Sequence, residues 1–503
     1  MQAFAVEDSP DFARRGVLLD VSRTRVPTSA TLEAEARRWA ALKGNEMQLY
    51  TEHAFAYPGH EEVWRDASPI TPEEARAFDA RCAALGIELV PNQQSLGHMH
   101  RWLVHDRYRA LAEVPEGVAH AFSREVEPFS LCPTDPESLA LLAELYDALL
   151  PCFGSRWLNV GLDETFDIGL GRSKSACETR GKDAVYLEFV RGVHALARAR
   201  GRRIQMWADV ALQHPEGVGE IPEDALLLLW GYDADHPFDR EGRALAASGR
   251  EFRVCPGTSS WQSVAGRTPN AAANLASAAR QGLEHGASGY LVTDWGDRGH
   301  LQPPFASAPG LLLAAGHAWN HAGTGARASE LPALLDAHVF EDEAGVLGRA
   351  AVELGSAYEE TGVPSTNGSA LFFLIAFADV PLPHPRMPGL SIEGLERARA
   401  TLERTRGTLG AARSTREDGT LLVDEMRWAA DLLAWSCRFG RARLETPQGA
   451  PIAAIPARAR ADLADALEPL VHEHRRLWLA RCRPGGLAES ASWLERPLGA
   501  LRA

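Results

Sequence analysis

Closely spaced cysteines, runs of basic charge and long apolar segments are all missing from this 503-residue sequence. The seven cysteines (Cys82, Cys132, Cys152, Cys177, Cys255, Cys437, Cys482) are odd in number and widely scattered. That spacing excludes the paired thiols of zinc and dithiol redox sites and leaves free, buried cysteines as the expectation. No block of consecutive Lys or Arg tracks a phosphate backbone, and 67 acidic against 52 basic residues give a formal charge of −15. Nucleic acid is therefore excluded as a partner, and an acidic surface suits an enzyme that handles neutral or cationic small molecules. The first residues, MQAFAVEDSPDFARRG, contain no apolar stretch of the kind a secretion signal uses, and the most apolar later run, Ala370 to Val380, is too short to cross a bilayer. These features predict a cytoplasmic protein with no membrane segment. Repeats of fixed period and low-complexity tracts are also lacking.

What is present is an alternation of short apolar or β-branched runs with amphipathic helical stretches, the pattern of βα units around a parallel sheet. Eight runs are counted: Gly16 to Val21, Glu46 to Thr51, Ile87 to Asn92, Trp157 to Leu162, Arg203 to Ala208, Leu226 to Trp230, Glu251 to Cys255 and Gly289 to Thr293. Explicit helix signals lie between them. Thr71 caps a helix with Pro72 at its first position and Glu74 closing a capping box; Asp135 and Pro136 open another. Gly86, Gly201, Gly249 and Gly286 stand where left-handed terminating residues belong. Eight repeats predict a closed (β/α)8 barrel, an α/β fold of the TIM type. A doubly wound open sheet is the alternative, but it usually has fewer strands, and no glycine-rich phosphate loop follows the first run. After about His321 the sequence turns to Ala, Leu, Arg and Glu at helical spacing, which divides the chain into a barrel over 1–322 and an all-α C-terminal domain over 323–503. The Arg-rich stretch Arg397 to Arg413 reads as a solvated helix face.

In such a barrel the chemistry sits at the carboxyl ends of the strands. Those ends are rich in carboxylates and aromatics: Asp20 and Arg23 after the first run, Glu52 and His53 after the second, and Gly97 and His98 after the third. Asp163 and Glu164 follow the fourth, Trp207 and Asp209 the fifth, Trp230 and Tyr232 the sixth, and Asp294, Trp295 and Asp297 the eighth. Several tryptophans converging with carboxylates suggest a sugar site, because aromatic faces pack on pyranose C–H surfaces while carboxylates bond hydroxyls and move protons.

The segment Asn159-Val-Gly-Leu-Asp-Glu164 resembles the fourth-strand signature of family 20 glycoside hydrolases, the β-N-acetylhexosaminidases. Arg15 to Arg23 is similar to that family's first strand, Pro91 to His98 to its third, Met206-Trp207 to its fifth, and Trp295-Gly-Asp297 to its eighth. The resemblance covers roughly residues 15 to 320, and the Tyr-Thr-Glu52 and Leu-Gly-His98-Met segments with the helical C-terminal part are most similar to the hexosaminidase D group. It implies retaining, exo-acting, substrate-assisted cleavage of terminal β-linked GlcNAc or GalNAc, with no cofactor and no metal. By this resemblance Glu164 is the acid and base, helped by a raised pKa; Asp163 holds the 2-acetamido group. His98 and Glu52 form a polar relay behind Glu164, and Arg15 binds ring hydroxyls or, alternatively, pairs with Asp20. Trp207, Trp230 and Trp295 wall the acetamido pocket, and Asp297 bonds a sugar hydroxyl. The partner expected is an amino-sugar glycoside or oligosaccharide, and the place of the family's N-terminal α/β domain falls to the helical C-terminal domain or to the second subunit of a homodimer.

One departure is visible. Where the family has a tyrosine after strand seven, Gly257 to Ser263 has none, leaving Tyr232, Tyr290 or a different 2-substituent as alternatives. Two rival functions remain: a metal-dependent hydrolase using His98, His100, Asp163, Glu164 and Asp209, and a non-catalytic sugar-binding barrel.

Overall fold

The computed structural model describes residues 8–120, 123, 125–213 and 215–503. Eight strands occur where eight apolar runs stand: β1 (Arg14–Asp20), β2 (Glu46–Tyr50), β3 (Glu88–Val90), β4 (Trp157–Asn159), β5 (Arg203–Trp207), β6 (Leu226–Trp230), β7 (Phe252–Cys255) and β8 (Gly289–Asp294). All neighbouring pairs are parallel, in the order β3-β2-β1-β8-β7-β6-β5-β4. The remaining seam is closed by a parallel bridge between Asn92 and Asn159, where Asn159 N donates to Pro91 O at 2.9 Å and Gln93 N to Asn159 O at 2.9 Å. The architecture is a (β/α)8 barrel, and its parallel sense brings all eight carboxyl ends to one rim.

Helices α1 (Ser29–Ala41), α2 (Pro72–Ala84), α3 (Pro136–Leu149), α4 (Lys182–Ala199), α5 (Phe238–Ala247), α6 (Thr268–Glu284) and α7 (Ala308–Trp319) flank the barrel; after β5 a short helix, Asp209–Gln213, takes that place. The predicted punctuation operates. Thr71 and Glu74 form a reciprocal capping box on α2, Asp135 caps α3, and Gly86, Gly201, Gly249 and Gly286 all have positive φ.

Inside the barrel a second core separates strands from site. Tyr50, Trp157, Trp207, Trp261 and Trp295 pack with Leu18, Leu228 and Leu291. A polar layer lies among them: Arg253 Nη1 reaches both carboxylate oxygens of Glu46 at 2.7 and 2.8 Å, and Gln48 bridges Asn159 and Gln205 at 2.9 and 2.7 Å. The Glu46–Arg253 charges thus meet within the barrel, and the Gln48 amide links the two neighbouring amides, as a low-dielectric interior favours.

Beyond α7 every longer element is helical, including α8 (Leu347–Ser356), α9 (Ala370–Ala376), α10 (Ile392–Thr408), α11 (Gly419–Leu444), α12 (Ala457–Arg481) and α13 (Leu487–Arg502). These helices pack on the barrel: Arg483 Nη2 pairs with Glu74 Oε1 at 2.9 Å, and Cys482 bridges Pro27. Six of the seven cysteines are buried, and all seven are free thiols. Among the described residues no helix is long and apolar enough to cross a membrane.

Candidate active site

Two close approaches shape the rim. At Gly161 an added Cβ would stand 1.7 Å from Gln94 Oε1, and at Gly97 one would stand 2.6 Å from the Asp163 carbonyl oxygen. Both glycines are therefore required so that the loop after β3 can press against the loop after β4. Gly161 and Leu162 have φ of 69° and 72°, Glu164 has 52°, and His98 has 58°. Non-glycine residues are costly in that region and persist where surrounding contacts fix them. The result brings the Asp163 and Glu164 carboxylates together, both within reach of His98 Nε2.

The contacts that fix them are polar and largely buried. Gln94 Nε2 donates to Asp163 Oδ1 at 3.0 Å and to Tyr50 Oη at 3.1 Å, and Tyr50 donates to Glu52 Oε1 at 2.9 Å. His98 lies between the carboxylates, with Nε2 at 3.1 Å from Glu164 Oε2 and 3.4 Å from Asp163 Oδ2. Its Nδ1 is 3.7 Å from Glu52 Oε1, an ion-pair rather than hydrogen-bond distance. Burial opposes charge on His98, but Asp163, together with hydrogen bonds to Asp163 and Glu164, outweighs it and raises the imidazole to about 10. Asp163 responds reciprocally: burial favours its neutral form, and His98 more than offsets this, holding it below the usual carboxylate range. Burial raises Glu52.

His98, Asp163 and Glu164 offer donor atoms within 4.8 Å of one another, the spacing of a cation site. A protonated imidazole, however, has no lone pair to give and itself supplies the positive charge between the carboxylates. The three residues thus fit an ion triad better than a metal cradle.

Behind Glu164 stands Asp209, whose Oδ2 accepts the Glu164 backbone N–H at 3.1 Å. Burial, then the neighbouring Asp163 and Glu164, push the Asp209 carboxyl up to about 7.

A cavity of about 600 Å³ opens over this arrangement. Asp163, Glu164, Glu52, Trp207, Trp230, Trp295 and Asp297 all line it, as the sequence predicts. Trp207 and Trp295 meet at 6.0 Å between ring centroids, and Tyr232 stacks on Trp230 at 5.1 Å. Tyr232 lines the cavity, whereas Tyr290 donates to Leu275 O at 2.9 Å outside the barrel lumen. Tyr232, on the loop after β6, is therefore the tyrosine available to a ligand. Trp261 fills the space after β7, edge-on to Tyr232 at 5.1 Å.

Arg15 is a correction. It lies at the amino end of β1, where its guanidinium donates to Lys43 O at 2.8 Å and Phe12 O at 2.9 Å and stacks on Trp319 at 5.1 Å. It is the second residue of a seven-residue strand whose carboxyl end forms the catalytic rim, so it can neither bind a sugar there nor pair with Asp20. Arg23, past the carboxyl end of the same strand, occupies the pocket instead. Its Nη1 is 3.4 Å from Asp20 Oδ2 and 3.3 Å from Asp297 Oδ1, its Nε is 3.8 Å from Glu52 Oε1, and its plane lies 4.8 Å from the Tyr50 and Trp295 rings. Gln94, Tyr50 and the anchoring role of Asp209 also escaped the sequence reading, as did Asn367 and Arg386 from C-terminal loops and Glu489 and Trp493 from α13, which line the same cavity.

An acidic pair at the carboxyl rim of a (β/α)8 barrel, beneath a tryptophan-lined pocket, is an arrangement suited to glycoside hydrolysis. Residues 12–261, just under half of the chain, match the glycosyl hydrolase family 20 catalytic domain. The chain is 29% identical over 214 residues to Hexosaminidase D of Bos taurus, covering 41% of this chain and 58% of that protein. It is 26% identical over 256 residues to Hexosaminidase D of Homo sapiens, covering 49% and 50%. The chain thus spans little more than half the length of these relatives. Among solved structures, the GH20 exo-β-N-acetylglucosaminidase of Vibrio harveyi, in complex with N-acetylglucosamine, superposes with a TM-score of 0.52 at 16% identity, covering 65% of this chain and 58% of that one. The β-N-acetylhexosaminidase of Bacteroides fragilis gives 0.51 at 16%, covering 64% and 71%. At these identities the structural likeness concerns the fold.

Proposed function

We propose that this chain is a retaining exo-β-N-acetylhexosaminidase that removes terminal β-linked GlcNAc or GalNAc by substrate-assisted catalysis. The observation that carries the reading is the pair Asp163 and Glu164, both reached by His98, one carboxylate buried and bonded by Gln94, the other partly exposed at the cavity mouth.

In this mechanism the 2-acetamido carbonyl oxygen attacks C1 as the bond from C1 to the leaving oxygen breaks, and Glu164 gives that oxygen its proton. Asp163 accepts the acetamido N–H and faces the positive charge of the oxazolinium. Water then attacks C1, Glu164 takes its proton, the C1–oxygen bond of the ring opens and the acetamido group is restored. An Asp163 held ionised by His98 suits the electrostatic part of this cycle. Trp207, Trp230 and Trp295 wall the acetamido group, Tyr232 is placed to bond its oxygen, and Arg23 and Asp297 bond ring hydroxyls. The same reading assigns the barrel to 1–322, the helical domain to 323–503, and a cytoplasmic location consistent with seven free cysteines.

Purified protein assayed on aryl β-glycosides differing at C2 and C4 tests this reading. Release of aryl alcohol from the 2-acetamido glycosides, with little from the 2-hydroxy ones, is expected. Binding of N-acetylhexosamines without turnover of any of them would leave a sugar-binding protein instead.

A further inference from the structure

Next to the catalytic cavity lies a second one of about 330 Å³, and Ser22, Thr24, Arg101 and Glu489 line both. The ion pair between the last two stands on that shared boundary: Arg101 Nη2 reaches both carboxylate oxygens of Glu489 at 2.8 Å. Glu489 is carried by α13, which is fixed against the loop after β8. Ser490 Oγ donates to Gly299 O and contacts His474 Nε2 at 2.9 Å, and the Trp493 ring lies so close to Gly299 that a Cβ there would stand 2.3 Å away. The C-terminal helix therefore ends the sugar pocket on the side of Arg23 and Asp297.

This placement gives a direction along the substrate, resting on the function proposed above. With C1 at Glu164 and the 2-substituent at Asp163, the far edge of the ring, which carries O4, faces Arg23, Asp297 and the wall beyond them. We propose that the Arg101–Glu489 pair is the end wall that restricts this enzyme to chain ends, and that it closes off a built subsite for one further β-linked hexosamine residue. The second cavity has the mixed lining a sugar needs: Thr24, His53, His105 and Asp66 offer polar groups beside Val26 and Val63. The pair is partly exposed, with side chains 34% and 45% accessible, so it contributes little to folding and can be removed from a folded enzyme.

The test uses the full-length protein and p-nitrophenyl glycosides of GlcNAc and of β1,4-linked GlcNAc disaccharide, with initial products resolved by mass. Wild type should release the terminal monosaccharide first and leave the aryl monosaccharide. Glu489→Ala, and Arg101→Ala combined with it, should release intact disaccharide, raising its share of initial product by roughly tenfold or more. Continued turnover of the aryl monosaccharide shows that the variants fold, and Arg101→Ala alone, which removes the other half of the wall, serves should Glu489→Ala not. An unchanged product ratio in variants that still cleave the monosaccharide overturns the end wall, as does disaccharide release by wild type. A wild type inert toward both glycosides overturns the hexosaminidase reading and this inference with it.

Discussion

Glu164 hangs from Asp209: its backbone N–H donates to the Asp209 carboxylate at 3.1 Å while its own φ is 52°. A residue held in an unfavourable backbone conformation by one side chain loses its aim when that side chain goes. Asp209→Ala is expected to lower kcat by about a hundredfold with little change in KM, because a displacement near 1 Å costs that much. Steady-state kinetics on an aryl glycoside checks it; equal loss in KM would assign Asp209 to substrate binding.

The same residue makes a pH prediction. The Asp209 carboxyl titrates at about 7, pushed up first by burial and then by Asp163 and Glu164, whereas in an unfolded chain it titrates near the ordinary carboxylate value. The folded state thus prefers the proton, and the stability this group contributes falls as pH climbs from the ordinary value to 7. Asp209→Asn, always neutral, escapes that loss. Its Tm relative to wild type should rise by about 1–3 °C between pH 5 and pH 8. A difference that is flat with pH would contradict the assignment.

His98 shows a dependence of the same sign over a higher pH range. Its imidazole is held up to about 10, so its contribution is complete below its ordinary value and is lost as pH rises through 10. Removing it takes the neighbouring cation from buried Asp163, while Glu52 keeps Arg23 at 3.8 Å. His98→Gln should cost about 3–5 kcal/mol near neutrality, as broken buried pairs do, with the gap narrowing toward pH 10. Urea denaturation of both proteins at the two pH values measures this.

Arg15, in strand β1, and Arg23, past its carboxyl end, separate structure from recognition. Arg23→Ala should lower kcat/KM by about 10–100-fold, the loss of one or two hydrogen bonds to a charged donor. Arg15→Ala, at the opposite end of the barrel, should leave kcat/KM unchanged and lower Tm only. Activity loss on Arg15→Ala at full stability would reverse the correction made above.

These two residues also mark how far the sequence could be read. Strand positions were legible because buried parallel strands are continuous apolar runs, and the helices because caps such as Thr71 and Glu74 act locally. Asp163, Glu164, Trp207, Trp230 and Trp295 were legible because each stands at or just past the carboxyl end of an apolar run. Arg15 and Arg23 flank one run, and apolarity alone does not say which end points toward the site. Gln94 is a neutral amide whose role depends on the space above Gly161. Glu489 and Trp493 lie in an ordinary amphipathic helix, and only the docking of α13 on Gly299 brings them to the cavity. No local pattern encodes that contact.

Inside the barrel, Glu46 and Arg253 form a pair whose side chains are 0% and 2% exposed. Breaking it by Glu46→Leu strands a guanidinium in the core and should destabilise the protein by about 3–5 kcal/mol without altering KM in the surviving folded fraction. Changing both residues together should recover much of the loss, and thermal unfolding of the single and double variants checks this.

The central claim, that the substrate's own acetamido oxygen displaces the leaving group beside Asp163, is tested most directly by one series of rates. Aryl 2-acylamino glycosides whose N-acetyl group carries none, one, two or three fluorines differ chiefly in the nucleophilicity of that oxygen. Participation predicts that kcat/KM falls steeply and steadily with each fluorine, whereas rates that stay level across the series would show that the oxygen takes no part and would contradict the mechanism.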